Sequence, residues 1–192
     1  MQRGQWSWIL VIATFCTAAS SLAKAQGLAE TDWPRLGKDL RSTGYSPSYS
    51  GPLSRDQAWA TYRIGSAPFM SHGVAVDASG NIYVPGVFVF DPNGIPLWSF
   101  KTGTAPFSPT VTADGTVYVG DSSRGALLAI KDGVLLWQFP VTGAAENAPT
   151  VCSDGVVLFG TQSAGRVYAI YPSGTQKWVY TLSPTASVTT SI

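Results

Sequence analysis

Short apolar runs and compact polar breaks alternate along most of this chain. The stretch "SPTVTADGTVYVGDSSRGALLAIKDGVLLWQF" (108–139) shows the rule. Thr110–Thr112 and Thr116–Val119 alternate apolar and polar positions, with Asp114-Gly115 between them. Period-two alternation marks strands, and Asp-Gly favours the positive φ angles of a tight hairpin. "ALLAI" (126–130) is apolar throughout, as a strand covered on both faces should be. "LLWQF" (135–139) follows a Lys131-Asp132-Gly133 turn. The pattern predicts four strands, near 109–112, 116–120, 126–130 and 135–139. A turn interrupts every run before it reaches helix length, so a helical reading fails.

The same pattern returns. Trp59, Trp98, Trp137 and Trp178 are spaced 39, 39 and 41 residues apart. Gly94, Gly133 and Gly174 each stand four residues before the Trp that follows. "SPTVTADGTVYVG" (108–120) is matched by "APTVCSDGVVLFG" (148–160), and "SHGVAVDASGNIYV" (71–84) is a looser copy. A fixed period near 40 residues signals a solenoid or a propeller. A four-stranded sheet with two apolar faces must be stacked between neighbours, and a circle of blades covers both faces. The recurring indole then has a use: on the outer strand it bridges one blade to the next, burying roughly 150–250 Å².

"VFVFDPNGIPLWSF", "LLAIKDGVLLWQF" and "VYAIYPSGTQKWVY" resemble the PQQ-like repeat of the quinoprotein alcohol dehydrogenase-like superfamily. That repeat builds the propellers of quinoprotein dehydrogenases and of an outer-membrane assembly lipoprotein. "DWPRLGKDLRSTGYSP" (32–47) resembles the segment that precedes the first blade in secreted members. The resemblance implies an all-β propeller of four-stranded antiparallel blades, with about three to four blades present. The expected divisions are a leader at 1–25, a lead-in at 26–58 and repeats over 59–192. The dehydrogenases also carry an adjacent cysteine pair, a calcium site and a catalytic Asp. No cysteine pair occurs here, so the resemblance carries over the fold and the Trp role, and no catalytic residue.

Composition agrees with a folded β chain. Hydrophobic residues are 45% and charged residues 12%, too apolar and too weakly charged for disorder. The N-terminus reads separately: Arg3, an apolar run from Trp6 to about Ala19, then Ala23-Lys24-Ala25. These features describe a secretory signal peptide cleaved after Ala25. The run is shorter than the about 20 residues of a membrane span. Cleavage removes Arg3 and Lys24 and moves the formal charge from +1 to −1. Such a chain has no basic footprint for nucleic acid or anionic lipid. It also leaves Cys152 alone, expected as a small buried strand residue with no internal disulfide.

Candidate chemistry is sparse. His72 is the single histidine and has no partner in sequence for base or metal work. Asp77, Asp91, Asp114, Asp132 and Asp154 recur with the repeat and read as turn formers. Tyr83, Tyr118 and Tyr168 read as core rather than a sugar-stacking platform. "GDSSRG" (120–125) holds Arg124, and "GTQSAG" (160–165) is followed by Arg166. Loops on one propeller face often bind, so Arg124 and Arg166 are candidates for an anion or peptide site, against an ordinary solvated hairpin.

The expected function is therefore an exported, non-catalytic scaffold, periplasmic or secreted, with a protein or cell-envelope partner and no cofactor. One alternative is the N-terminal part of a PQQ-dependent quinoprotein dehydrogenase, which alone would call for PQQ and calcium. Another is a surface polysaccharide-binding module. Residues 59–177 hold about three repeats, whereas a ring needs at least four blades. A piece of a longer protein is the expectation. Self-association through an open blade flank, or an arc held by partners, would also cover the apolar flank.

Overall fold

The computed structural model describes residues 73–103, 107–183 and 188. The leader, the lead-in, His72 and Trp59 lie outside the described residues. Within them the chain is all β, with no helix. Three four-stranded antiparallel sheets follow one another along the sequence, each a meander. The first holds β1 (Ala75–Val76), β2 (Ile82–Val84), β3 (Phe88–Phe90) and β4 (Pro96–Ser99). The second holds β5 (Thr110–Val111), β6 (Val117–Asp121), β7 (Ala126–Lys131) and β8 (Val134–Pro140). The third holds β9 (Thr150–Val151), β10 (Val157–Gly160), β11 (Arg166–Ile170) and β12 (Gln176–Thr181). These are the blades of a partial propeller.

Turn chemistry sets the strand ends. Between β5 and β6, Gly115 donates its N–H to the Thr112 carbonyl, and Thr112 donates to Thr116. That closure leaves only Thr110–Val111 for the inner strand, shorter than the pattern suggested. Asp114 does not take a positive φ here; Gly115 alone does, at +84°. Asp114 instead caps the turn through its carboxylate, which accepts from Thr112 Oγ1, Thr116 N and Thr116 Oγ1. Of the Asp-Gly pairs at 114–115, 132–133 and 154–155, only Asp132-Gly133 has both φ angles positive, and there Lys131 pairs directly with Val134 across a two-residue turn.

Each outer hairpin carries a bulge at the same place. The register shifts between Val89 and Phe90, between Ala129 and Ile130, and between Ala169 and Ile170. The extra residues are Leu97, Leu136 and Lys177, each directly before a Trp. A bulge inserts one residue and re-aims the next side chain. The row Tyr83–Val89–Trp98 thereby faces the second blade, and Tyr118–Ala129–Trp137 faces the third.

Two apolar seams result. The first joins Tyr83, Val87 and Val89 to Val117, Val119, Leu128 and Ile130, with Trp98, Phe100 and Leu135 at its margin. The second joins Tyr118, Leu127 and Ala129 to Val157, Phe159, Tyr168 and Ile170, with Trp137 and Phe139 at its margin. Within them, tyrosines pack on indoles: Tyr83 meets Trp98 edge-on at 6.1 Å, and Tyr118 lies 5.6 Å from Trp137. Such pairs add about 0.5–1.5 kcal/mol beyond burial.

The seams also explain the recurring Gly. Trp137 lies against Gly174 in the next blade's outer turn, where an added Cβ would stand 2.8 Å from the indole Cγ. Trp98 lies over Gly133 more loosely, where an added Cβ would stand 3.7 Å from Trp98 Cβ and 3.8 Å from its ring Cε3. Trp137 Nε1 donates to the Pro172 carbonyl at 2.8 Å, so the seam is polar at its rim. Trp98 and Trp137 are thus each seated by the Gly one repeat on. Trp178, 36% exposed, occupies the same register on the third blade's outer flank. Cys152 is buried beside Val156, Leu158 and Ala169, and its interaction partner lies outside the described residues.

Candidate functional site

In a meander, the β6–β7 and β10–β11 loops lie at the opposite end from the Asp-bearing turns. Residues 122–125 and 161–165 therefore share one face with the segments that link blade to blade. Ser123, Arg124 and Ser163 are exposed there. The two arginines are not at equivalent positions. Arg124 is within its loop, directly before Gly125, whereas Arg166 opens β11 directly after Gly165.

Both arginines nevertheless reach back to the segment leaving the preceding blade. Arg124 Nη2 donates to the Lys101 carbonyl at 3.2 Å, and its guanidinium lies 5.4 Å from the Phe100 ring centroid. Arg166 Nη1 donates to Thr142 Oγ1 at 2.9 Å. The Thr142 N–H in turn donates to Tyr168 Oη at 2.9 Å. Burial pushes the Tyr168 phenol up, but the hydrogen bonds with Thr142 and the Arg166 charge outweigh it and hold its pKa below the usual value.

Beneath Arg124 sits Asp121, 1% exposed, which the sequence reading did not single out. Its carboxylate accepts from Gly103 N at 3.0 Å, Ser123 Oγ at 2.7 Å and Arg124 N at 3.1 Å, and pairs with Arg124 Nε at 3.5 Å. Burial pushes this carboxyl up; the bonds from Ser123, Gly103 and Arg124, with the Arg124 charge, outweigh it and lower the pKa. A buried charge needs such partners. Thr161 replaces Asp121 in the next blade and is likewise buried.

Two glycines let these segments cross. A Cβ on Gly103 would fall 1.5 Å from Ser123 Oγ, and one on Gly143 would fall 2.4 Å from the Gln162 carbonyl. Ala144 and Gln162 then exchange backbone hydrogen bonds at 3.0 and 3.1 Å, tying the link to the third blade. The signal was present in the sequence as Thr102-Gly103 and Thr142-Gly143, 40 residues apart. Deeper still, Asn147 donates to the Gly160 carbonyl at 2.9 Å, and Thr110 Oγ1 donates to the Pro149 carbonyl at 2.6 Å.

On the opposite face, Asp77 and Asp91 cap their turns by accepting backbone N–H groups. Lys131 pairs with Asp114 at 3.3 Å and Lys177 with Asp154 at 3.5 Å. Among the described residues, no group of three or more His, Cys, Asp or Glu could hold a metal ion. The structure brings together Arg124 with Asp121, and Arg166 with Tyr168. Both constellations act as interblade ties, and their outer atoms remain available to a ligand. Tyr83, Tyr118 and Tyr168 are buried in the seams. Burial, with the Asp114 charge, pushes the Tyr118 phenol up to about 12.

A family model described as outer membrane protein assembly factor BamB matches residues 85–192. No functionally curated protein matches the chain. Among solved structures, a catalytically inactive virginiamycin B lyase from Staphylococcus aureus with quinupristin is similar at 15% identity and a TM-score of 0.52. That likeness covers 62% of this chain and 44% of the lyase. BamB from Moraxella catarrhalis is similar at 20% identity and a TM-score of 0.46, over 56% of this chain and 36% of that one. A protein of unknown function from Bacteroides caccae is similar at 15% identity and a TM-score of 0.48, over 58% and 46%. The chain spans less than half the length of each of these structures.

Proposed function

The chain belongs to the family of the outer membrane protein assembly factor BamB, and from that membership we propose that it is an exported, non-catalytic propeller serving as a binding or assembly scaffold. The observation that supports this most is how the loop face is built. Gly103 N, Lys101 O and the Phe100 ring are held by the Asp121–Arg124 pair, and Thr142 is held by Arg166 and Tyr168. Each loop is thus pinned to its neighbouring blade, and pinned loops present a stiff surface at low entropic cost. The proposed contacts are Arg124 and Arg166, with Ser123 and Ser163 beside them. The partner is a protein of the cell envelope, as the family description suggests. In this reading residues 1–25 direct export and are removed after Ala25. No helix of the described residues is long and apolar enough to cross a membrane.

A photocrosslinking side chain placed at Ser123 or Ser163, in the envelope of an expressing host, tests the proposal. The expected result is an adduct with a component that assembles outer-membrane proteins. The reading fails if no envelope adduct forms from either loop. It also fails if the protein, given pyrroloquinoline quinone and calcium, reduces a dye with alcohols or sugars above the apoprotein level.

A further inference from the structure

The residue before the Gly of each outer turn differs from blade to blade: Asn93, Asp132 and Ser173. Asn93 is exposed at the tip of the β3–β4 turn and is followed directly by Gly94, whose φ is +79°. An Asn-Gly pair carries chemistry of its own. The backbone nitrogen of Gly94, once deprotonated by hydroxide, attacks Cγ of Asn93. The bond from Cγ to the side-chain nitrogen breaks, and ammonia leaves. The succinimide ring that results is opened by water at either carbonyl, giving aspartate or isoaspartate.

We infer that Asn93-Gly94 is a site of spontaneous deamidation, and that its conversion loosens the outer hairpin of the first blade. In the closed turn, the Gly94 N–H donates to the Asp91 carbonyl at 2.9 Å, so attack waits on opening of the hairpin. Opening is local. β4 is a four-residue outer strand with Pro96, Leu97 and Ser99 exposed, and such elements open far below the global stability.

The neighbours decide the consequence. Asn93 donates its N–H to Asp91 Oδ1 at 2.8 Å and its side-chain amide to Asp91 Oδ2 at 3.4 Å. Deamidation removes that second donor and sets a carboxylate facing a carboxylate. Asp132 escapes this conflict, because Lys131 stands where Asp91 stands in the first blade. Isoaspartate does more harm, since it adds a methylene to the backbone directly before Gly94. The other asparagines are poorer sites: Asn81 precedes Ile82, and Asn147 is buried.

The full chain is incubated folded, and in parallel unfolded in urea, at mildly alkaline pH. Peptide mapping by mass spectrometry and enzymatic isoaspartate labelling follow residue 93. The folded chain is expected to gain acid and isoaspartate at 93 before any change at 81 or 147. The converted fraction is expected to melt below the unconverted one. Asn93→Ser, the residue the third blade uses, and Asn93→Gln are expected to abolish or greatly slow the conversion. The inference is overturned if the folded chain keeps its amide at 93 over a period that converts the unfolded chain. It is equally overturned if Asn81 or Asn147 converts first, or if conversion leaves melting unchanged.

Discussion

Replacing Trp137 and Gly174, singly and together, probes the second seam where indole and glycine meet. The indole is half-buried, so about half of its roughly 150–250 Å² is withdrawn from water. At about 25 cal/mol/Å² that is worth about 2–3 kcal/mol. The hydrogen bond from Trp137 Nε1 to Pro172 adds about 1 kcal/mol. Trp137→Ala should therefore cost about 3–4 kcal/mol. Gly174→Ala meets two obstacles. A left-handed backbone costs a residue with a Cβ about 1–2 kcal/mol, and φ here is +85°. The Cβ would also stand 2.8 Å from the Trp137 ring, an overpacking worth about 1–3 kcal/mol. In the Trp137→Ala background the ring is gone, so the backbone cost remains with only the milder 3.2 Å approach to the Cβ of residue 137. The double mutant should be more stable than the summed single costs imply, by about 1–3 kcal/mol. Urea denaturation with unchanged m-values measures all three variants. Additive costs within about 0.5 kcal/mol, the behaviour of independent sites, would refute the contact.

Three further outcomes follow from the same geometry. Trp178→Ala should cost about 1 kcal/mol less than Trp137→Ala in the same urea assay, because among the described residues its indole makes no hydrogen bond like that from Trp137 Nε1 to Pro172. Gly143→Ala should lose about 2–3 kcal/mol by thermal melting, since its φ is +93° and its Cβ would collide with the Gln162 carbonyl. Asp121 titrates lower folded than unfolded, so the stability it lends is complete above its unfolded pKa near 4 and fades as pH falls through the lower folded value; Asp121→Asn should flatten the fall of melting temperature below about pH 4.

Much of this architecture was legible in the sequence, because the repeat constrains two partners at once. Trp98 and Trp137 recur with Gly133 and Gly174 since each of these glycines seats the indole of the blade before it. Period-two alternation placed the strands to within a residue or two. It failed at β5, because alternation cannot see that Thr112 N–H belongs to the turn. The bulges at Leu97, Leu136 and Lys177 left no mark either. A Leu or Lys there satisfies a regular strand equally well, and the register shift emerges only from pairing. Asp-Gly at 114–115 suggested two left-handed residues, whereas the carboxylate itself closes that turn.

The loop face was less legible. Arg124 and Arg166 drew notice as charges, but their partners are Lys101 O and Thr142 Oγ1, 23 and 24 residues upstream. Asp121 looked like part of a polar loop; its burial depends on Gly103 crossing above it. Thr102-Gly103 and Thr142-Gly143 were visible as a repeat whose purpose only the crossing segments reveal.

The central claim, that indoles seal neighbouring blades, can be read proton by proton. Hydrogen exchange of the tryptophan indole N–H groups, followed by NMR, measures it directly. The Trp137 indole proton should exchange as slowly as the protected amides of β7, held by the Pro172 carbonyl within the second seam. An indole proton on Trp137 that exchanges as fast as one free in solvent would contradict the seal.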